Sequence, residues 1–219
     1  QIRCKNNKKT QKVEIGSTLF DVFSSFDLKM THGPVSARVN NKVEGMHYRV
    51  YNSKDVEFLD MNSASGSRAY TRTLFFVLCK AVQDIYPNTD VVIDIPVSNG
   101  FYVDIRLGRP VVDEDVNILR RRMQEIIDSK MPIRRFTVPT EEAIALFQEK
   151  GDVEKVKLLR TSGSIYTTYY KIGEYVDYYY GTLLTNTSQL YLFGLEKYYD
   201  GMLLRIPSVS NPDELGEMT

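Results

Sequence analysis

Residues 90–107 read DVVIDIPVSNGFYVDIRL, two runs rich in β-branched and aromatic residues on either side of Ser98-Asn99-Gly100. Asn-Gly supplies the positive φ angles of a tight turn, so the stretch predicts an antiparallel β-pair. Helical patterns flank it. Upstream, residues 70–85 carry Leu74, Leu78, Ala81, Val82 and Ile85 at three- and four-residue spacing before Pro87 stops the run. Downstream, residues 113–130 open with an acidic turn and set Val116, Leu119, Met123, Ile126 and Ile127 on one side, which points Arg120, Arg121 and Arg122 mostly outward. PTEEAIALFQEKG predicts a shorter helix, capped by Thr140 and ended at Gly151. SIYTTYYKI, EYVDYYY, LYLFGLEKYY and MLLRIP then read as strands. The sum is an α+β domain over residues 63–208.

The first 62 residues follow a different order. QIRCKNN and TQKVEI form a hairpin, Ser17 caps a helix running through Phe26, and PVSARVNN, HYRVY and DVEFLD supply further strands with a turn at Asn40-Asn41. Two strands, a helix and more strands describe a small β-grasp unit. NSASGSR, where small polar residues replace the apolar pattern, reads as the boundary after it. Residues 209–219 read as a linker, and with Gln1 at the start they suggest a fragment.

Twenty-eight basic and 28 acidic side chains cancel, so any attraction to nucleic acid or membrane is local. Basic groups cluster at Arg3, Lys5, Lys8, Lys9 and Lys12, at Arg120–Arg122, and at Arg134-Arg135. Cys4 and Cys79 form neither a disulfide framework nor a zinc pattern, and no metal site is expected. No apolar run reaches the roughly 18 residues of a membrane span, and no signal peptide is legible, so a cytoplasmic protein is expected. A phosphate-binding GxxxxGK[ST] loop is missing. ASGSRAY and RTSGSIYTT lack its lysine and spacing and read as loops.

Three stretches carry a resemblance that composition does not. SNGFYVDI, then DEDVNILRRRMQEIIDSKMPIRRFTVPTEEAIALFQEKGDVEKVKLL, then YKIGEYVDYYYG resemble the second N-terminal domain of threonyl-tRNA synthetases. There the segments run PxxNGFYYD, a long helix feeding V-x-x-EEA-x-x-x-F-x-x-x-G-x-x-x-K-x-x-L, and EYVDMCRGPH. The preceding unit resembles the TGS domain, the β-grasp module of the same enzymes. The implied fold is a TGS-like β-grasp domain followed by a larger threonyl/alanyl-tRNA synthetase editing-like α+β domain. In that family the domain edits mischarged tRNA with an HxxxH pair on one helix face and a Cys and His in the CRGPH loop. In YTRTLFFVLCKAV the two His positions fall on Arg72 and Phe76; in the loop the Cys position falls on Tyr179, the Arg position on Tyr180 and the final His on Leu183, with Gly181 matching. The resemblance therefore implies no catalytic residue. His32 and His47 lie outside that domain and read as surface or turn residues of the β-grasp unit.

The tyrosine run admits two readings. Tyr178, Tyr179 and Tyr180 with Arg72 and Phe76 line a ligand cleft that stacks on a base or holds an anion, or alternate tyrosines simply fill the space of a lost polar site. LEKYYDGMLLRIPSVSNPDEL further resembles the connector in bacterial uridine kinase-like proteins. That resemblance implies a noncatalytic regulatory module linked to a C-terminal nucleoside kinase domain, which would bring ATP and magnesium, with a nucleotide, an amino acid or RNA as this module's ligand. The alternatives are an RNA- or tRNA-binding module with Arg120, Arg121 and Arg122 as contacts, and a deacylase acting in trans.

Overall fold

The computed structural model describes residues 1–97, 100–179 and 181–207. β1 (Ile2–Cys4) turns back through Lys8, φ 60°, into β2 (Thr10–Gln11), the expected hairpin. β3 (Ser17–Thr18) runs into α1 (Leu19–Ser25), and here the cap is Thr18 rather than Ser17. Thr18 Oγ1 accepts from the Asp21 amide at 3.3 Å while Asp21 accepts from the Thr18 amide at 3.0 Å, a reciprocal arrangement worth about 1 kcal/mol. Ser17 instead donates its hydroxyl to the Glu14 carbonyl at 2.7 Å.

Asn40 and Asn41, at φ 46° and 73°, join β4 (Ser36–Val39) to β5 (Lys42–Glu44) through the left-handed pair that a two-residue hairpin loop requires. β6 (Arg49–Val50) pairs with β3, and β7 (Lys54–Leu59) lies parallel to β1 and antiparallel to β4. The sheet order is β2-β1-β7-β4-β5. Leu19, Val22 and Phe26 pack with Ile2, Val56 and Phe58 in the core of this sheet.

α2 (Ala64–Ile85) begins six residues before the apolar pattern suggests, inside the stretch read as a boundary and a loop. The small residues have a packing reason. Ser63 caps the helix by accepting from the Gly66 amide at 2.9 Å, and a Cβ on Gly66 would stand 2.0 Å from the Asp60 carbonyl oxygen. Ala69, Tyr70, Leu74, Val77, Leu78 and Ala81 are then buried. β8 (Val91–Val97) and β9 (Gly100–Ile105) form the antiparallel pair predicted from residues 90–107, although Ser98 and Asn99 of its turn lie outside the described residues. Pro96 falls at a register shift in β8, an edge strand where a missing N–H is tolerated.

α3 (Asp113–Asp128) buries the five apolar residues named from its periodicity. Its first turn is held by Asp115, which is buried and accepts from the Val112 amide at 2.9 Å, from both Arg109 nitrogens at 2.8 Å and from the Tyr86 hydroxyl at 2.6 Å. The Arg109 guanidinium holds the Asp115 carboxyl far below the usual carboxylate range. Burial, reinforced by the Asp115 carboxylate, pushes the Tyr86 phenol up to about 12.

β10 (Arg134–Pro139), α4 (Thr140–Glu149), α5 (Val153–Thr161), β11 (Tyr166–Ile172) and β12 (Tyr175–Tyr178) follow. Thr140 does not cap α4: its hydroxyl donates to the Ser164 carbonyl at 2.7 Å, and Pro139 occupies the cap position. The three strands pair antiparallel in the order β10-β11-β12. Ala143, Phe147, Val156, Leu159 and Val176 form their core with the two helices.

β13 (Gly194–Tyr198) and β14 (Gly201–Arg205) complete an antiparallel sheet ordered β13-β14-β9-β8. A Cβ on Gly100 would sit 2.3 Å from the Leu204 carbonyl oxygen, so glycine is what lets β9 start against β14. Two compact units result, one of Gln1–Pro132 with the segment from Thr182 onward, the other of Ile133–Gly181. The fold is α+β, with five α-helices among the described residues. No helix among the described residues is long and apolar enough to cross a membrane.

Candidate functional site

In the first unit, Arg72 and Phe76 lie one turn apart on α2 and so share a side of the helix. Their environments differ. Arg72 is half-buried and has no ion-pair or hydrogen-bond partner among the described residues. Phe76 is 0% exposed, so the phenyl ring is core and offers no surface to a ligand. Between them Thr73, fully buried, donates to the Ala69 carbonyl at 2.7 Å and accepts from the Leu184 amide at 2.8 Å. Leu183 is 2% exposed. Two of the positions that the synthetase resemblance gives to histidine are therefore occupied by apolar core.

The arginine run of α3 is divided by its partners. Arg120 donates through Nε to the Leu195 carbonyl at 3.0 Å, tying α3 to β13. Arg122 contacts Asp84 at 2.8 Å and Glu125 at 3.0 Å, and these carboxylates raise its pKa further. Arg121 is exposed and makes no such contact among the described residues. Two of the three guanidinium groups thus already have internal acceptors.

In the second unit the tyrosines gain a structural explanation. Tyr178 stands opposite Tyr169, and Tyr169 opposite Phe136, so the three rings form one row across β12, β11 and β10. Phe136 and Tyr169 stack with centroids 5.2 Å apart, and Tyr178 meets Phe147 edge-on at 6.0 Å. Tyr179 is half-buried, and Tyr180 lies outside the described residues. Next to Tyr178, Asp177 is 7% exposed and pairs with Lys155 of α5. Asp177 also accepts from the Tyr178 amide at 2.8 Å and the Tyr175 hydroxyl at 3.2 Å. Lys155 and Asp177 match the K and D of the family pattern quoted above. The sequence reading gave them no role because the two are far apart in the chain.

A groove of about 480 Å³ opens in the second unit between Thr140, Ile144, Leu159, Arg160 and Ser164, and none of the residues named from sequence as a ligand-cleft or RNA contact lines it. Among the described residues no group of three or more His, Cys, Asp or Glu side chains is placed to hold a metal ion.

No family model matches the chain. Curated relatives do. The threonine–tRNA ligase of Acetivibrio thermocellus is 30% identical over 181 residues, 82% of this chain and 28% of the ligase. Those of Azobacteroides pseudotrichonymphae and Caldanaerobacter subterraneus are 28% and 27% identical over 96% and 92% of this chain, and 35% and 33% of their own length. The chain thus spans 28–35% of the length of these relatives. Over most of its length this chain is similar to the N-terminal regions of threonyl-tRNA synthetases.

Proposed function

We propose that this chain is an RNA-binding module related to synthetase editing domains, one that holds tRNA-like RNA without hydrolysing an ester on it. The observation that supports it is the pairing of extended similarity with loss of chemistry. The relatives are threonine–tRNA ligases over 82% of the chain or more, while Arg72, Phe76, Tyr179 and Leu183 stand where the family resemblance puts editing side chains. None of the four is a general base of ordinary pKa near neutrality. Neither Phe76 nor Leu183 reaches solvent to any useful extent.

Retained RNA contact has a characteristic signature. With zero net charge on the chain, binding rests on local cations and weakens steeply as salt displaces them from phosphate. Titrating the intact chain with a labelled tRNA transcript at low and at physiological salt tests this. Binding that weakens between about 50 and 200 mM salt is expected; no binding at low salt contradicts the reading. A link to a nucleoside kinase domain is a separate reading. It rests on a segment whose residues 194–205 are occupied by β13 and β14 and whose residues from 208 on lie outside the described ones. In that case ATP and magnesium would belong to the kinase domain, and this module would act on it as a regulator.

A further inference from the structure

One face of the three-stranded sheet combines groups that a purely structural sheet keeps apart. Register places Arg134 of β10 directly opposite Lys171 of β11, and Phe136 opposite Tyr169 two residues along. Side chains two residues apart project from the same face, so all four share it. Toward β12 that face carries Val176 and Tyr178, which pack with Phe147 of α4. Its open part is therefore the β10 margin, with the cations at one end and the Phe136–Tyr169 stack beside them. Like charges directly opposite in an antiparallel pair are destabilising. Nothing in the fold relieves this pair: neither Arg134 nor Lys171 has an ion-pair or hydrogen-bond partner among the described residues, and Glu174 in the following turn bridges to neither. β10 is an edge strand exposed along nearly its whole length, and Phe136 at its centre is 36% exposed while stacked on Tyr169.

We infer that the β10 margin of this face binds a single-stranded segment of RNA, with a phosphate between Arg134 and Lys171 and a base on the exposed side of the Phe136 ring. The inference rests on the RNA-binding reading above and gives it a location. A phosphate between the two cations converts their repulsion into two charge-assisted hydrogen bonds. The ring lies about 7 Å along the strand from the cations, a span that one nucleotide bridges. Stacking on a phenyl ring accepts any base, so the contact is sequence-tolerant. Arg120 and Arg122 are poorer candidates because their guanidinium groups already meet Leu195, Asp84 and Glu125.

The test is fluorescence anisotropy of the intact chain with a labelled oligouridylate of about eight nucleotides, within the usual site size of single-strand binders. Phe136→Ala should weaken binding roughly 5- to 150-fold, the scale of one lost stack, whereas Phe136→Tyr should bind like the parent. Arg134→Ala with Lys171→Ala should flatten the salt dependence by about 0.7 in log–log slope per cation removed. The same pair should leave thermal stability unchanged or raised, because a like-charge contact is gone. If the parent binds RNA and these variants bind it equally well, this location is overturned and the RNA-binding reading stands. Should the intact chain bind neither the oligonucleotide nor tRNA at low salt, both fall. Tighter binding of an extended acidic peptide, sensitive to the same substitutions, also overturns the inference, because β10 would then be recruiting a strand.

Discussion

α2 carries two positions at which the synthetase pattern places editing groups, and the segment just after β12 carries the others, yet the chemistry has been replaced differently at each. At Phe76 of α2 and at Leu183 the replacement is apolar and buried as fully as the residues around it, while Arg72 of α2 is half-buried. After β12 the first replacement, Tyr179, is aromatic, and the strand itself keeps a polar residue. Tyr178 extends an in-register row of rings, and Asp177 beside it stays ionically paired with Lys155. A buried helix position that loses its polar role is stabilised by whatever fills the volume. A strand position keeps its cross-strand partners whichever residue occupies it, so the surrounding constellation survives.

The sharpest way to break this comparison is to empty the helix position. Phe76→Ala should cost about 3–5 kcal/mol in urea unfolding of the intact chain, as a fully buried aromatic does. A loss under about 1 kcal/mol would place the ring at a surface instead. In the second unit, Asp177→Asn removes the more buried of the two carboxylates that Lys155 meets, the other being Asp152 at 3.5 Å, and should cost about 3 kcal/mol. Combining Asp177→Leu with Lys155→Met should recover much of that loss, because the penalty lies in a buried charge that has lost its nearest counter-charge. A double variant as unstable as the single one would mean that packing around Asp177, not charge, sets the cost.

A smaller effect separates electrostatics from packing within the first unit. The Asp115 carboxyl titrates below its unfolded value, because Arg109 and two further donors favour the charged form. The unfolded chain therefore binds the proton more readily, so this contribution is fully present above about pH 4 and is lost as pH falls further. Asp115→Asn should cost roughly 2 kcal/mol at neutral pH and show a shallower fall in stability below pH 4 than the parent. Identical acid profiles would remove Asp115 from the account.

Legibility in the sequence followed the strength of local signals. The Asn40-Asn41 turn, the residues 90–107 pair and the buried side of α3 were readable because turn chemistry or periodicity is written into adjacent residues. β10 was missed because an edge strand exposed along its length shows no alternation, and with it went the partner that explains the tyrosine row. The start of α2 was misread because Ser and Gly there serve a cap and a close backbone approach, although their composition is that of a loop. Of the proposed site, the replaced positions were legible by resemblance. The Lys155–Asp177 pair and the Arg134–Lys171 juxtaposition needed register that only the folded chain supplies.

The most direct test of the central claim is to follow tRNA esterified with serine while it is bound to the intact chain at low salt, reading complex and ester in one time course. The account predicts a complex in which the ester decays no faster than in free seryl-tRNA. Loss of the ester faster than the blank would show surviving hydrolytic chemistry and contradict the replacement of the editing groups; no complex at all would contradict the retained RNA contact.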